Sequence, residues 1–202
     1  MLKEKLLEDL KDAMKTKNVN KKNAVQMVRT AILQIEKDKG IEVSDEQILG
    51  IVAKEVKTRK DAIAEYSKRL SKYCKLEVIE VADEKTPDQA SENVEQQIRK
   101  KEGERILRYV KEDAYVITLE IGGTMLDSVA FAKKIETLGV QGKSHIIFII
   151  GGSIGLGEDV LKRSDYGLSF SKMTFPHQLM RVILLEQVYR SYRIIEGAPY
   201  HK

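Results

Sequence analysis

Residue types and spacings suited to chemistry gather in four stretches in the second half of the chain. The first, Leu119-Glu120-Ile121-Gly122-Gly123-Thr124, sets an acidic residue and a glycine pair at the end of an apolar run, as strand-end turns do. The second is Ile150-Gly151-Gly152-Ser153-Ile154-Gly155-Leu156-Gly157-Glu158-Asp159. Its glycines follow an apolar strand and let backbone approach a ligand closely. It has neither the Gly-Lys-Ser/Thr of a P-loop nor GxGxxG spacing. Glu158 and Asp159 favour the positive end of the next helix and would repel phosphate. The loop therefore suits a neutral or zwitterionic ligand, or a tight turn with none. The third, Phe170-Ser171-Lys172-Met173-Thr174-Phe175-Pro176-His177, joins the last strand to the last helix. Open α/β sheets bind ligands at the carboxyl ends of their strands, and all three segments follow strands, so they could converge on one edge. The fourth is basic and aromatic: Arg181, Arg190 and Arg193 with Tyr189 and Tyr192, before the ending Pro199-Tyr200-His201-Lys202. Arginine and aromatic rings hold looped RNA, although such faces also serve as solvated or dimer-forming helices.

The elements that must position these residues follow from periodicity. Up to about residue 69 the spacing is helical. Leu2, Leu6, Leu10 and Ala13 form one stripe, beside Leu7 and Met14. Ala24, Met27, Val28, Ala31, Ile32 and Ile35 form a second, and Ile48, Val52, Val56, Ile63 and Tyr66 a third. Gly40 marks a helix stop, and Ser44-Asp45-Glu46-Gln47 a capping box. The period then changes. Residues 76–81 alternate as a strand, 91–109 form a helix, and 115–121 form a strand stopped by Gly122-Gly123. Asp127 caps a helix to Leu138. Residues 145–150 read as a strand buried on both faces, 158–163 as a short helix and 166–171 as a strand. The last helix starts with Pro176 in its first turn and runs to about Glu196. Strands alternating with helices predict an α/β fold with a covered parallel sheet.

Composition narrows the function classes. The 202 residues include 35 Lys+Arg and 31 Asp+Glu, a net charge of +4 that is compatible with an RNA partner. The single cysteine, Cys74, forms no intramolecular disulfide and fits a reducing, cytoplasmic setting. No apolar run approaches the roughly 18 residues of a membrane span, and the charged start lacks a signal peptide. Three histidines and one cysteine, widely scattered, make no metal set. Ten of the 13 glycines lie at or after Gly122, which marks the second half as the loop-bearing one.

From about Ala62 to Lys202 the chain resembles the large-subunit ribosomal RNA pseudouridine N3-methyltransferases of the SPOUT, or α/β-knot, class. The residues carrying this are Lys101-Glu102-Gly103, the runs 116–122, 148–156 and 168–181, Glu186-Gln187-Val188-Tyr189-Arg190 and Tyr200-His201-Lys202. The resemblance implies a parallel sheet with a trefoil knot, a homodimer, and S-adenosylmethionine bound among three loops. By position, cofactor contacts fall on Leu119, Gly151, Phe170, Ser171, Lys172, Met173, Thr174 and Phe175. The implied substrate is N3 of a pseudouridine in 23S ribosomal RNA on the assembled ribosome. Tyr200 and His201 are expected to cross the dimer towards the RNA-facing site. His201 has the chemistry of a proton acceptor, and Arg181 that of a stabiliser for the developing imide anion.

Residues 1–66 resemble the start of a GatB/YqeY-type helical domain, through Met27-Val28-Arg29-Thr30-Ala31 and Glu55-Val56-Lys57-Thr58-Arg59-Lys60-Asp61. That family suggests a tRNA-related partner. The expected organisation is a helical segment, 1–66, followed by a methyltransferase domain, 67–202. Methyltransferases of this class open with an apolar strand ending in Gly-Lys, and no such strand precedes Ala62 here. Either the sheet closes differently, or another chain supplies a strand, or the fusion keeps its cofactor loops as a binding module without full activity.

Overall fold

The computed structural model describes residues 2–16, 19–87 and 90–200; the side chains of residues 19–21, 23–24 and 52–59 lie outside that description. Three helices come first: α1 (Leu2–Lys15), α2 (Val19–Lys39) and α3 (Asp45–Leu70). Gly40 ends α2 with a φ of 64°, a backbone state open to glycine at little cost. The capping box forms as expected. The Gln47 N–H donates to Ser44 Oγ (3.3 Å), and the Ser44 N–H donates to Gln47 Oε1 (2.9 Å). The chain divides into two compact units, Met1–Ala62 and Ile63–Lys202. The core of the first is Ile32, Val43, Ile48 and Ile51, with Leu2, Leu6, Val28, Ala31 and Ile35 packed on it. Of the predicted stripes, the side chains of Ala24, Val52 and Val56 lie outside the described residues.

The second unit alternates helices and strands as the periodicity predicts. After α3 come α4 (Glu92–Leu107), β1 (Tyr115–Met125), α5 (Ser128–Val140), β2 (Ile146–Ile150), α6 (Glu158–Arg163), β3 (Tyr166–Ser169) and α7 (His177–Ile195). The strands form one sheet in the order β2-β1-β3, both pairs parallel. Alternation along β1 splits its side chains between two cores. Ile117 joins Phe131, Ile135, Leu138 and Leu168, with Val188 of α7 against them. Val116 joins Ile149 and Val160, with Ile106 and Leu107 of α4 against them.

Four expectations need correction. β1 does not stop at Gly122 but runs on to Met125, with a register shift between Leu119 and Thr124. Of the five β2 residues only Ile149 is fully buried, because β2 is an edge strand and not an interior one. Pro176 stands just before α7, as its N-cap, where its missing N–H costs nothing. Residues 76–81 are not a strand. Alternation reports half-burial, whereas a ladder also needs a partner. This stretch is instead tied by its neighbours: Glu80 pairs with Arg181, Arg105 donates to the Ala82 carbonyl (2.7 Å), and Glu102 accepts the Glu84 N–H (3.0 Å). Among the described residues no strand precedes α4, so the sheet has three strands.

Candidate active site

Register alone brings the three loop-bearing segments together. Leu119 stands opposite Ile150 of β2 and Leu168 of β3. Gly151 and Phe170, which follow those residues by one and two positions, therefore emerge at the same carboxyl edge as Leu119. This is where open α/β sheets take ligands.

Each segment is shaped differently. In β1, both Leu119 and Thr124 face Leu168, so residues 120–123 bulge out of the ladder. A Cβ on Gly123 would lie 2.8 Å from the backbone of Gly167 and Leu168, and one on Gly167 would lie 2.9 Å from Glu120 Oε1. Glu120 is half-buried there, and the fully buried Thr118 donates its hydroxyl to the Glu120 carboxylate. The Ser164 hydroxyl is 2.7 Å from that of Thr118.

In the turn after β2, packing against α4 accounts for two of the glycines. A Cβ on Gly157 would meet the Arg99 carbonyl oxygen at 2.7 Å, and one on Gly152 would approach Glu102 Oε2 to 3.3 Å. Gly155 has a φ of 85°. Arg99 also donates to the Ile154 carbonyl (3.2 Å), fastening the turn to the helix. At the strand end, a Cβ on Gly151 would lie 3.1 Å from Gly155 and Leu156 of the same turn.

In the third segment Phe170 packs edge-on to Phe131, with ring centroids 6.4 Å apart. The Ser169 hydroxyl is 3.2 Å from both the Ile121 and Ser171 carbonyl oxygens, which links the β3 loop to the β1 bulge. Ser171 Oγ accepts the Met173 N–H at 3.0 Å. Lys172, Met173 and Thr174 are exposed, whereas Ser171 and Phe175 are half-buried. Beside this segment lies a cavity of about 300 Å³, lined by Leu126, Asp127, Ser128, Phe131, Phe170 and Gln187 among others.

Of the basic and aromatic residues of the last helix, Tyr189, Tyr192, Arg190 and Arg193 are linked through Tyr73 and Tyr200, while Arg181 stands apart. Arg181 pairs with Glu80. Tyr200 folds back along α7: its hydroxyl donates to Glu186 Oε1 (3.4 Å), its ring meets Tyr189 at 5.1 Å, and Arg190 sits 4.8 Å above it. Burial raises the Tyr200 phenol above its ordinary range. Arg190 also pairs with Glu186 (2.5 Å), and Arg193 donates to the Tyr73 hydroxyl (3.3 Å). Tyr192, stacked on Tyr73 at 5.1 Å, is pushed up to about 12, first by burial and then by the neighbouring Cys74. His201 lies outside the described residues. Glu120 lies in the first of the sequence stretches without having been given a role there, and Thr118 and Ser164, which fix its carboxylate, come to notice only through these contacts.

The sequence that forms this parallel sheet and the loop-to-helix segment behind β3 matches a known family. The "Predicted SPOUT methyltransferase" family model covers residues 45–201, and the chain belongs to that family. It is 64% identical over 143 residues to the ribosomal RNA large subunit methyltransferase H of Bifidobacterium adolescentis, a match spanning 71% of this chain and 90% of the relative. Over the same length and shares it is 57% identical to the protein of that name from Clostridium kluyveri. Among the described residues, no helix is long and apolar enough to cross a membrane, and no group of three or more side chains could hold a metal.

Proposed function

We propose that this protein transfers a methyl group from S-adenosylmethionine to N3 of a pseudouridine in large-subunit ribosomal RNA. The observation that carries this is the convergence of Leu119, Gly151 and the segment from Phe170 on one sheet edge, in a chain so similar to large-subunit ribosomal RNA methyltransferases. The residues suit this cofactor. Leu119 and Phe170 offer apolar surface to a nucleoside, Gly151 offers backbone without a side chain, and Ser171, Lys172, Met173, Thr174 and Phe175 complete the set. Glu120 and the acidic start of α6 favour a ligand without phosphates.

S-adenosylmethionine supplies an electrophilic methyl on a sulfonium centre. The protein's part is to align the acceptor and to manage one proton, since an imide nitrogen attacks only after losing its own. His201 accepts that proton in this reading, an imidazole being the side chain whose charge changes most readily near neutral pH. Arg181 stabilises the imide anion, exchanging Glu80 for the new negative charge. Two copies pair in this account, in the cytoplasm and on the ribosome, with a knotted carboxyl-terminal segment and with Tyr200 exchanging its contacts to Glu186, Tyr189 and Arg190 as it and His201 reach the partner's site. Residues 67–202 act as the methyltransferase domain, and residues 1–66 as a helical segment for a tRNA-related partner.

The three-stranded sheet favours a second reading, a binding module that holds cofactor and RNA without turnover. Calorimetry with S-adenosylmethionine, paired with turnover on ribosomes, tests the roles. His201→Ala and Arg181→Ala are expected to lower turnover by about 10²-fold or more while leaving cofactor affinity within about twofold. Wild-type rates in both would discard those roles, and tight binding with no turnover in the wild type would leave only the binding module.

A further inference from the structure

Glu120 stands out among the acidic groups of the second unit. It is half-buried at the carboxyl edge of β1, adjoining Leu119, and among the described residues it pairs with no lysine, arginine or histidine. Its Oε1 accepts the Thr118 hydroxyl, and its Oε2 accepts no hydrogen bond from the described residues. Thr118 is itself fixed, being completely buried and 2.7 Å from the Ser164 hydroxyl. On the other side, the carboxylate lies over Gly167, where any side chain would meet Oε1 at 2.9 Å. Gly167 in turn lies under Gly123, whose own Cβ would collide with it at 2.8 Å. Two glycines and a buried hydroxyl thus hold a carboxylate at the ligand-binding edge and leave one of its oxygens free. With no counter-ion among the described residues and one oxygen unpaired, this half-buried carboxylate offers a place for a cation from outside the chain.

The chemistry selects that cation. A metal ion needs several ligands, and no group of three or more candidate side chains occurs among the described residues. RNA brings negative charge, which Glu120 repels. Resting on the proposed function, the remaining cations are the two on the methyl donor. Its ammonium has three N–H donors that backbone carbonyls can satisfy as well as a carboxylate can, whereas its sulfonium has no N–H and is favoured only by a nearby negative charge, which Glu120 supplies at the edge beside Leu119. We infer that the Glu120 carboxylate is the counter-charge for the donor's sulfonium and sets the preference for methyl donor over demethylated product. Glu120 acts on binding and specificity and not as a catalytic group, because the sulfonium charge it favours disappears as the methyl leaves. The product is a neutral thioether at that position, and it loses the attraction that drew the donor in.

Calorimetric titration of the full chain with S-adenosylmethionine and with S-adenosylhomocysteine tests this. The two ligands share the adenosine and ammonium groups and differ at the sulfur. Glu120→Gln is expected to weaken donor binding at least tenfold while changing thioether binding by no more than twofold. Gly167→Ala, which keeps the charge but pushes the carboxylate aside, is expected to shift the preference the same way, and it decides the matter if Glu120→Gln fails to fold by circular dichroism. Equal loss for both ligands, or unchanged donor affinity, overturns the role of Glu120 and leaves the cofactor reading intact. A wild-type chain that binds neither ligand overturns the cofactor reading itself.

Discussion

A methyl group at position 123 would lie 2.8 Å from the carbonyl carbon and oxygen of Gly167, backbone atoms that cannot swing aside as a flexible side chain does. Gly123→Ala is therefore expected to destabilise the fold by about 1–3 kcal/mol, the usual cost of overpacking. At Gly122 a Cβ meets nothing within 4 Å, so Gly122→Ala serves as the neutral control in the same urea denaturation series. Tyr192 offers a second residue-scale test. Its phenol is pushed up to about 12 in the folded chain, against an ordinary value of 10.0. Between those values the unfolded chain has released a proton that the folded chain retains, so stability falls as pH rises through that window. Tyr192→Phe is expected to flatten that part of the alkaline decline, and an unchanged slope would show that the phenol titrates normally. At this scale the sequence was only partly legible. Leu119, Gly151 and Phe170 were named through the family resemblance, while the glycine- and proline-punctuated stretches holding them were readable because they follow apolar runs. The need for glycine at 123 and 167 was not, because it arises from a crossing of two strands far apart in the chain.

Among the elements, local rules did best where the partner is also local. The capping box of α3 joins residues three apart, and the Asp127 side chain accepts the Ala130 N–H at 2.7 Å to open α5. Asp127→Ala is expected to cost about 0.5–2 kcal/mol, read from the shift in urea midpoint, with Asp127→Asn recovering most of it. Residues 76–81 show the opposite case. Their alternation is that of a strand, yet a strand exists only with a neighbour whose backbone groups are free and in register. Here Glu80, Ala82 and Glu84 are held by arginines and a glutamate on α7 and α4, interactions that no local pattern announces. β2 fails in a related way. Five apolar residues in a row predict an interior strand, but burial is decided by strand order, and that order places β2 at an edge.

The whole molecule consists of two compact units, and the family match begins at residue 45, inside the first of them. Both the matched region and the strand-end site lie in a chain whose sheet has three strands among the described residues. The strand-end loops depend on the strands beneath them for position, so activity is the property most sensitive to how these three strands are held. The central claim is methyl transfer to large-subunit ribosomal RNA, and one measurement reaches it directly. Purified protein is incubated with S-adenosylmethionine carrying an isotopically labelled methyl group and with assembled ribosomes from cells lacking the modification. The large-subunit RNA is then digested to nucleosides and analysed by mass spectrometry. The account predicts label in a single N3-methylated pseudouridine, growing with time and about 10²-fold slower with His201→Ala. Cofactor binding without any labelled nucleoside, or label on another nucleoside or in the small-subunit RNA, would contradict it.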